Sequence, residues 1–199
     1  MTRRPKRTLI VGATGSGQSS TVVRLIDDEA ICLSADPANP AFGPPCAVSL
    51  ARWRVDTWEL LDVEPLGSLD ALRFRAVLLV AVTRLLARHD LGALVVDAPG
   101  VHRGVGAAEL IAGIAEVAEV DEVVMIGEPG DALQLVTGTE LRRMEPNEAA
   151  RRGGDATRRK RRTSAWRTGI DADPQTLPLI KLDVFDHHPD CGLEGRVAV

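Results

Sequence analysis

The sequence predicts an α/β fold, a doubly wound parallel sheet, on three observations. Apolar runs of β-strand type alternate with helix-type segments from Thr8 to Gly127. The first run leads through a glycine-rich loop straight into a helix pattern. A later run, Ala93-Leu-Val-Val-Asp97, is apolar without alternation, the pattern of a parallel strand covered on both faces. Parallel neighbours require crossovers, and crossovers in one sheet are right-handed.

Taken in order, Thr8–Gly12 reads as the first strand, and Ser19–Asp27, with Val22, Val23, Leu25 and Ile26, as the first helix. Ala30–Ser34 is a second strand, and residues 36–45, rich in Pro, Asn and Gly, form a long loop at its carboxyl end. Leu69–His89 is a helix whose apolar positions almost surround it, with Arg73, Arg75, Arg84 and Arg88 as polar exits, so it should pack into the sheet. Its longest apolar run, Ala76–Val82, falls far short of the roughly 20 residues a membrane helix needs, and no membrane partner is expected. Ala107–Ala118 reads as helix and Glu122–Gly127 as strand. Ligands of such sheets bind beyond the strand carboxyl ends, where residues 12–17, 36–42 and 97–106 would gather.

A chain of 199 residues with 45% hydrophobic and 26% charged residues suits one core with a small appendage. The net charge of −4 hides a segregation of sign: Leu141 to Arg167 carries ten of the 24 Lys and Arg residues against three acids. Three regions follow: a nucleotide-binding core over 1–140, an arginine-rich lid or nucleic-acid-binding segment over 141–168, and a short β-rich extension over 169–199. A solvated tail is the competing reading of the basic stretch. Three cysteines without zinc or disulfide spacing, and no apolar signal run after Arg3, Arg4, Lys6 and Arg7, point to a reducing, cytoplasmic setting. The segment from Asp186 to Cys191, with His187 and His188, is too crowded to form one tetrahedral metal site.

The chemistry lies in Gly12-Ala13-Thr14-Gly15-Ser16-Gly17-Gln18-Ser19-Ser20. This stretch matches the Walker A pattern at both glycines and at the hydroxyl, with Gln18 at the lysine position, and narrows the fold to the P-loop NTPase type. Its glycines let backbone N–H groups turn toward an anion, and the helix N-terminus adds its dipole. The expected ligands are ATP and Mg²⁺, with Ser19 as the metal's hydroxyl ligand. Gln18 donates a hydrogen bond but brings no charge to the β- and γ-phosphates. A chance glycine turn is the competing reading, and the strand before it and helix after it argue against that.

Further residues resemble the P-loop polynucleotide 5′-hydroxyl kinase family, and the resemblance spans most of the chain. Ser34-Ala-Asp36-Pro37-Ala-Asn39 stands where that family has an Asp-x-Asp-Pro-Gly-Gln type motif, with Asp36 and Pro37 unaltered. Pro45-Cys46-Ala-Val-Ser49-Leu50 is similar to its Pro-Gly-x-Ile-Ser-Leu segment, with Cys46 in place of glycine. Leu94-Val-Val-Asp97-Ala-Pro-Gly100 resembles its strand ending in a polar residue and a Gly-rich turn, and Arg151 to Trp166 takes the place of its arginine-rich lid.

The resemblance implies ATP-dependent transfer of phosphate to a 5′-hydroxyl end of single-stranded RNA or DNA, in an RNA-processing setting. It implies Asp36 as general base or as a water-mediated Mg²⁺ partner, Asp97 in the metal shell, Arg158 and Arg162 as lid cations, and Asn39, Pro45 and Ser49 as substrate contacts. From the residues alone, a helix or turn cap is the competing reading of Asp36, since Asp-Pro opens turns. Phe42, Trp53, Trp58 and Trp166 are readable as base-stacking or core aromatics. Three functions remain open: a kinase, a nucleotide-binding interaction subunit without catalysis, and another P-loop NTPase that hydrolyses ATP or GTP.

Overall fold

The computed structural model describes residues 6–27, 29–128, 130–146 and 154–169. The chain up to Gly169 forms one compact unit. The β-rich extension expected beyond it, and the His187-His188 segment, lie outside the described residues.

Among the described residues, seven strands form one mixed, mostly parallel sheet of the P-loop NTPase type. They are β1 (Arg7–Gly12), β2 (Ile31–Ser34), β3 (Ala47–Arg54), β4 (Thr57–Pro65), β5 (Leu94–Asp97), β6 (Glu122–Ile126) and β7 (Glu140–Met144), in the spatial order β4-β3-β2-β5-β1-β6-β7. β2, β5, β1, β6 and β7 run parallel, and β3 and β4 extend the sheet as an antiparallel hairpin. The helices are α1 (Gln18–Leu25), α2 (Arg75–Ala87), α3 (Val105–Val117) and α4 (Asp155–Gly169).

The period-two alternation of a strand assigns its side chains to two cores. Leu9 and Val11 of β1 join Leu33, Val96, Val123 and Met125 beneath α2 and α3, which contribute Leu78, Val82, Leu85, Leu110, Ile111 and Ile114. Ile10 points the other way, with Cys32, Ala51, Val124 and Ile126, toward Val22 of α1 and Phe42. Arg7 pins the end of the sheet opposite the glycine loop: its guanidinium donates to the carbonyls of Leu91 and Ala118, and its amide to Asp121.

The structure moves several expected boundaries. The helix expected over Leu69–His89 begins at Arg75, because Asp70 caps a separate turn, its carboxylate accepting the amides of Leu72 and Arg73 at 3.1 and 3.0 Å. The β3–β4 hairpin was not expected as such. Its turn residues Val55 and Asp56 adopt φ of 47° and 59°, the left-handed pair of a tight hairpin, without the Asn-Gly or Asp-Gly signature that announces one. Glu140–Met144 crosses the boundary placed between 140 and 141, so the first residues assigned to the lid belong to the sheet. Trp53 and Trp58 face each other across the hairpin, with Phe42 stacked on Trp58 at 4.3 Å. Trp53 also exchanges backbone hydrogen bonds with Glu29 and Ala30 at the amino end of β2, so the Trp53–Trp58 pair packs the hairpin at the end of the sheet away from the glycine loop, while Phe42 is buried with Val22 of α1.

Leu110 is fully buried between α3 and the sheet. Leu110→Ala should therefore cost about 2–5 kcal/mol of stability in urea unfolding, with the denaturant slope unchanged. A loss below about 1 kcal/mol would place α3 outside the core.

Candidate functional site

β1 ends at Gly12, where a side chain has no room: a Cβ there would lie 2.6 Å from Ser16 Oγ and 3.2 Å from Ile126. The chain then turns through Ala13–Ser16, closed by Ser16 N–H donating to the Ala13 carbonyl at 2.9 Å. Gly15 and Gly17 take φ of 88° and 94°, which only glycine adopts without strain. α1 starts on Gly17 with no side-chain cap and no acid in its first turn. Its first N–H groups and the positive end of its dipole are thus left to whatever occupies the loop, which is the physical requirement for holding a phosphate.

Gln18 stands at the start of α1, but its amide turns back into the sheet. Nε2 donates to the carbonyl of Ala98 at 3.2 Å and, at the limit of hydrogen bonding, to that of Ile10 at 3.5 Å. It ties the ends of β1 and β5 together.

Asp97, the last residue of β5, is 3% exposed. Ser19 Oγ donates to its Oδ2 at 3.3 Å, while Oδ1 is buried with no hydrogen-bond partner among the described residues. Burial pushes the Asp97 carboxyl up to about 8, the neighbouring Asp36 carboxylate adds to the rise, and the Ser19 hydroxyl opposes it. A buried acid with an unused oxygen beside a serine hydroxyl is a fit for a hard cation, so Ser19 and Asp97 are the residues that would hold Mg²⁺. No group of three His, Cys, Asp or Glu side chains is gathered around a point among the described residues. Any metal here would therefore keep waters or take oxygens from its nucleotide.

Asp36 follows β2 and takes the turn-cap position that is one of the readings for it. Its Oδ1 accepts the amides of Ala38 and Asn39 at 2.8 and 3.1 Å, the geometry of an Asx turn. Its Oδ2 faces the β5 loop, meeting only the Gly100 amide at 3.4 Å. Burial raises its pKa and the three amides counter the rise. Gly100 in turn lies against the glycine loop, where Thr14 Oγ1 donates to its carbonyl at 3.0 Å, and an added Cβ would sit 2.5 Å from that hydroxyl.

α4 closes the arrangement. Arg158, Arg161, Arg162 and Ala165 line a cleft of about 480 Å³ together with the glycine loop, Asp36, residues 38–41, Asp97 and Ala98. One open cleft thus gathers Thr14, Gly15, Gly17, Gln18, Ser19, Ser20, Asp36, Asn39, Asp97, Arg158 and Arg162 from the expected residues. Gly12, Ala13 and Ser16 support the loop from beneath. Pro45 and Ser49 are not brought in. Both are buried, and Ser49 sits inside β3 opposite Ser34 and Val63, so neither is placed to touch a substrate. Sequence reading missed Arg161. Its signal was the spacing 158, 161 and 162, which puts three cations on one helical face.

No protein-family model and no curated protein matches the sequence. Solved structures do. The chain superposes on Clp1p in its complex with a Pcf11p segment with a TM-score of 0.62 and 14% identity, over 88% of this chain and 53% of that one. A second Clp1p–Pcf11p structure, described by its interface and by a point mutant that loses ATP, gives 0.61 and 15% over the same shares. The fold is shared with Clp1p. This chain spans about half the length of the Clp1p chains it matches. No described helix is long and apolar enough to cross a membrane.

The Asp97 carboxyl carries a stability signature. Its folded value of about 8 lies above the ordinary 3.8, so the folded state holds the extra proton between those values, and stability falls as pH rises from about 4 to about 8. In Asp97→Asn that part of the fall should vanish, and the variant should gain most over the parent above pH 8. Thermal unfolding of both proteins from pH 5 to 9 reads this, and parallel curves would show that Asp97 ionises normally.

Proposed function

We propose that this chain binds Mg·ATP in the glycine-loop cleft and transfers the γ-phosphate to the 5′-hydroxyl of a single-stranded polynucleotide. The observation that carries the reading is that one cleft gathers two buried carboxylates, Asp36 and Asp97, three arginines of α4 and an uncapped helix N-terminus. The glycine-loop amides would hold the phosphate chain, and Ser19 and Asp97 the metal. Bound Mg²⁺ would neutralise phosphate charge.

In the transfer step the 5′ oxygen forms a bond to the γ-phosphorus, the bond from phosphorus to the β–γ bridging oxygen breaks, and ADP leaves. Asp36 Oδ2 accepts the hydroxyl proton, and burial, which raises its pKa, makes it a stronger base than an exposed carboxylate. Arg158 and Arg162 meet the charge on the transferring oxygens, since guanidinium forks match phosphate geometry. Asn39, beside Asp36 on the same turn, faces the acceptor. The free thiols of Cys32 and Cys46 are compatible with a reducing cytoplasm.

One observation favours a second reading. Gln18, bonded back to the strand carbonyls, supplies no charge to the phosphates and serves as a structural tie. A nucleotide-binding subunit of an RNA-processing assembly, bound to protein partners as Clp1p is to Pcf11p, needs no more than that.

Labelled ATP offered with 5′-hydroxyl oligonucleotides decides between them. Under the kinase reading label moves to the oligonucleotide, Asp36→Asn abolishes transfer while leaving ATP binding within about threefold, and Gln18→Lys raises transfer. In calorimetry Gln18→Lys should tighten Mg·ATP about tenfold or more, the scale of one charge-assisted contact, and Arg158→Ala with Arg162→Ala should weaken it without any nucleic acid present. ATP binding without transfer in both the parent and Gln18→Lys leaves the subunit reading. No ATP binding by either rules out the cleft as a nucleotide site.

A further inference from the structure

α4 carries five successive cations, Arg158 to Arg162. At about 100° per residue a run of five distributes charge around the whole helix, and one cleft takes only part of it. Arg158, Arg161, Arg162 and Ala165 face the cleft. Arg159, Lys160, Thr163 and Trp166 are exposed, and Trp166 keeps 41% of its surface open to solvent. Positions 159, 163 and 166 follow the i, i+4, i+7 spacing of one row along a helix. That row reads cation, hydroxyl, indole, with Lys160 beside it.

Like charges three and four residues apart destabilise a helix, and α4 has no apolar stripe in its sequence whose burial would offset this. Cleft phosphates neutralise one side only. The exposed side retains its cations and presents the large aromatic ring of Trp166 in the same row. A guanidinium for a phosphate, a hydroxyl, and a flat ring for a base are the groups by which proteins hold single-stranded nucleic acid without reading its sequence.

We propose that the Arg159–Thr163–Trp166 row, with Lys160, is a second binding site on α4, distinct from the cleft, that grips a single-stranded polynucleotide by its phosphates and stacks one base on Trp166. This rests on the reading of the cleft only in naming the strand as the phosphate acceptor. The grip itself requires neither ATP nor transfer.

The test uses the full chain and fluorescein-labelled 12-mers of oligo(dT) and oligo(U) without ATP, read by anisotropy between 50 and 200 mM salt. Trp166→Ala should weaken binding roughly tenfold, with Trp166→Phe recovering most of it. Arg159→Ala with Lys160→Ala should lower the slope of log affinity against log salt by about 1.4, two phosphate contacts at roughly 0.7 each. ATP affinity should stay within twofold in all of these variants. Unchanged oligonucleotide affinity and slope overturn the site, as does equal binding of a duplex of the same length, which would leave the indole without a role. A matching loss of ATP affinity would also overturn it, by assigning the row to the cleft. If the site responds as expected while the protein neither binds ATP nor transfers phosphate, the cleft reading fails and this one stands. Transfer with an inert row gives the reverse.

Discussion

The arrangement of the cleft depends on a carboxylate buried at the end of a parallel strand. Removing an ionised acid from water is expensive, and a group so placed takes up a proton, finds a counter-charge or binds a cation. Asp97 has a serine hydroxyl and a neighbouring acid, and no cation of the described protein bonds to it. The sheet enforces its position, with β5 held between β1 and β2 and both neighbours running parallel. The strand's carboxyl end thus faces the start of α1, and Asp36, one strand over, is carried to the same edge. Asp36 adds to the cost of ionising Asp97, and both acids line the cleft.

The opposing charges come from sequence far away. α4 follows the last strand, and three of its arginines reach the cleft that β1, β2 and β5 build. Acids fixed in the sheet and cations carried on a separate helix line one open cleft of about 480 Å³. Buried opposite charges in direct contact would instead have filled the space with an ion pair.

Much of this was legible in the sequence because the relevant signals are local. The glycine loop, the apolar run ending in Asp97, and Asp36-Pro37 each occupy a few residues whose types follow from backbone conformation or strand burial. What was illegible depended on tertiary partners. The β3–β4 hairpin lacks turn glycines, and its β3 strand is paired on both sides, so Ser49, a substrate contact by the resemblance, is a strand residue of the core. β7 reads as charged and was assigned to the lid, although parallel pairing with β6 fixes it. Arg161 was hidden among equivalent arginines until the helix face was known.

Gln18 shows how one substitution at a signature position acts on structure as well as charge. A lysine there presents three donors on a flexible stem and follows the anion. The glutamine amide is shorter and neutral, and in this chain it settles on the Ala98 carbonyl beside the cleft, where the end of β5 would otherwise present an open acceptor. Through these bonds Gln18 ties the ends of β1 and β5 to each other. It also removes the one cation that a P-loop normally carries within its own turn, so any positive charge in this cleft must come from outside the loop. Among the described residues lining the cleft, that source is α4, through Arg158, Arg161 and Arg162.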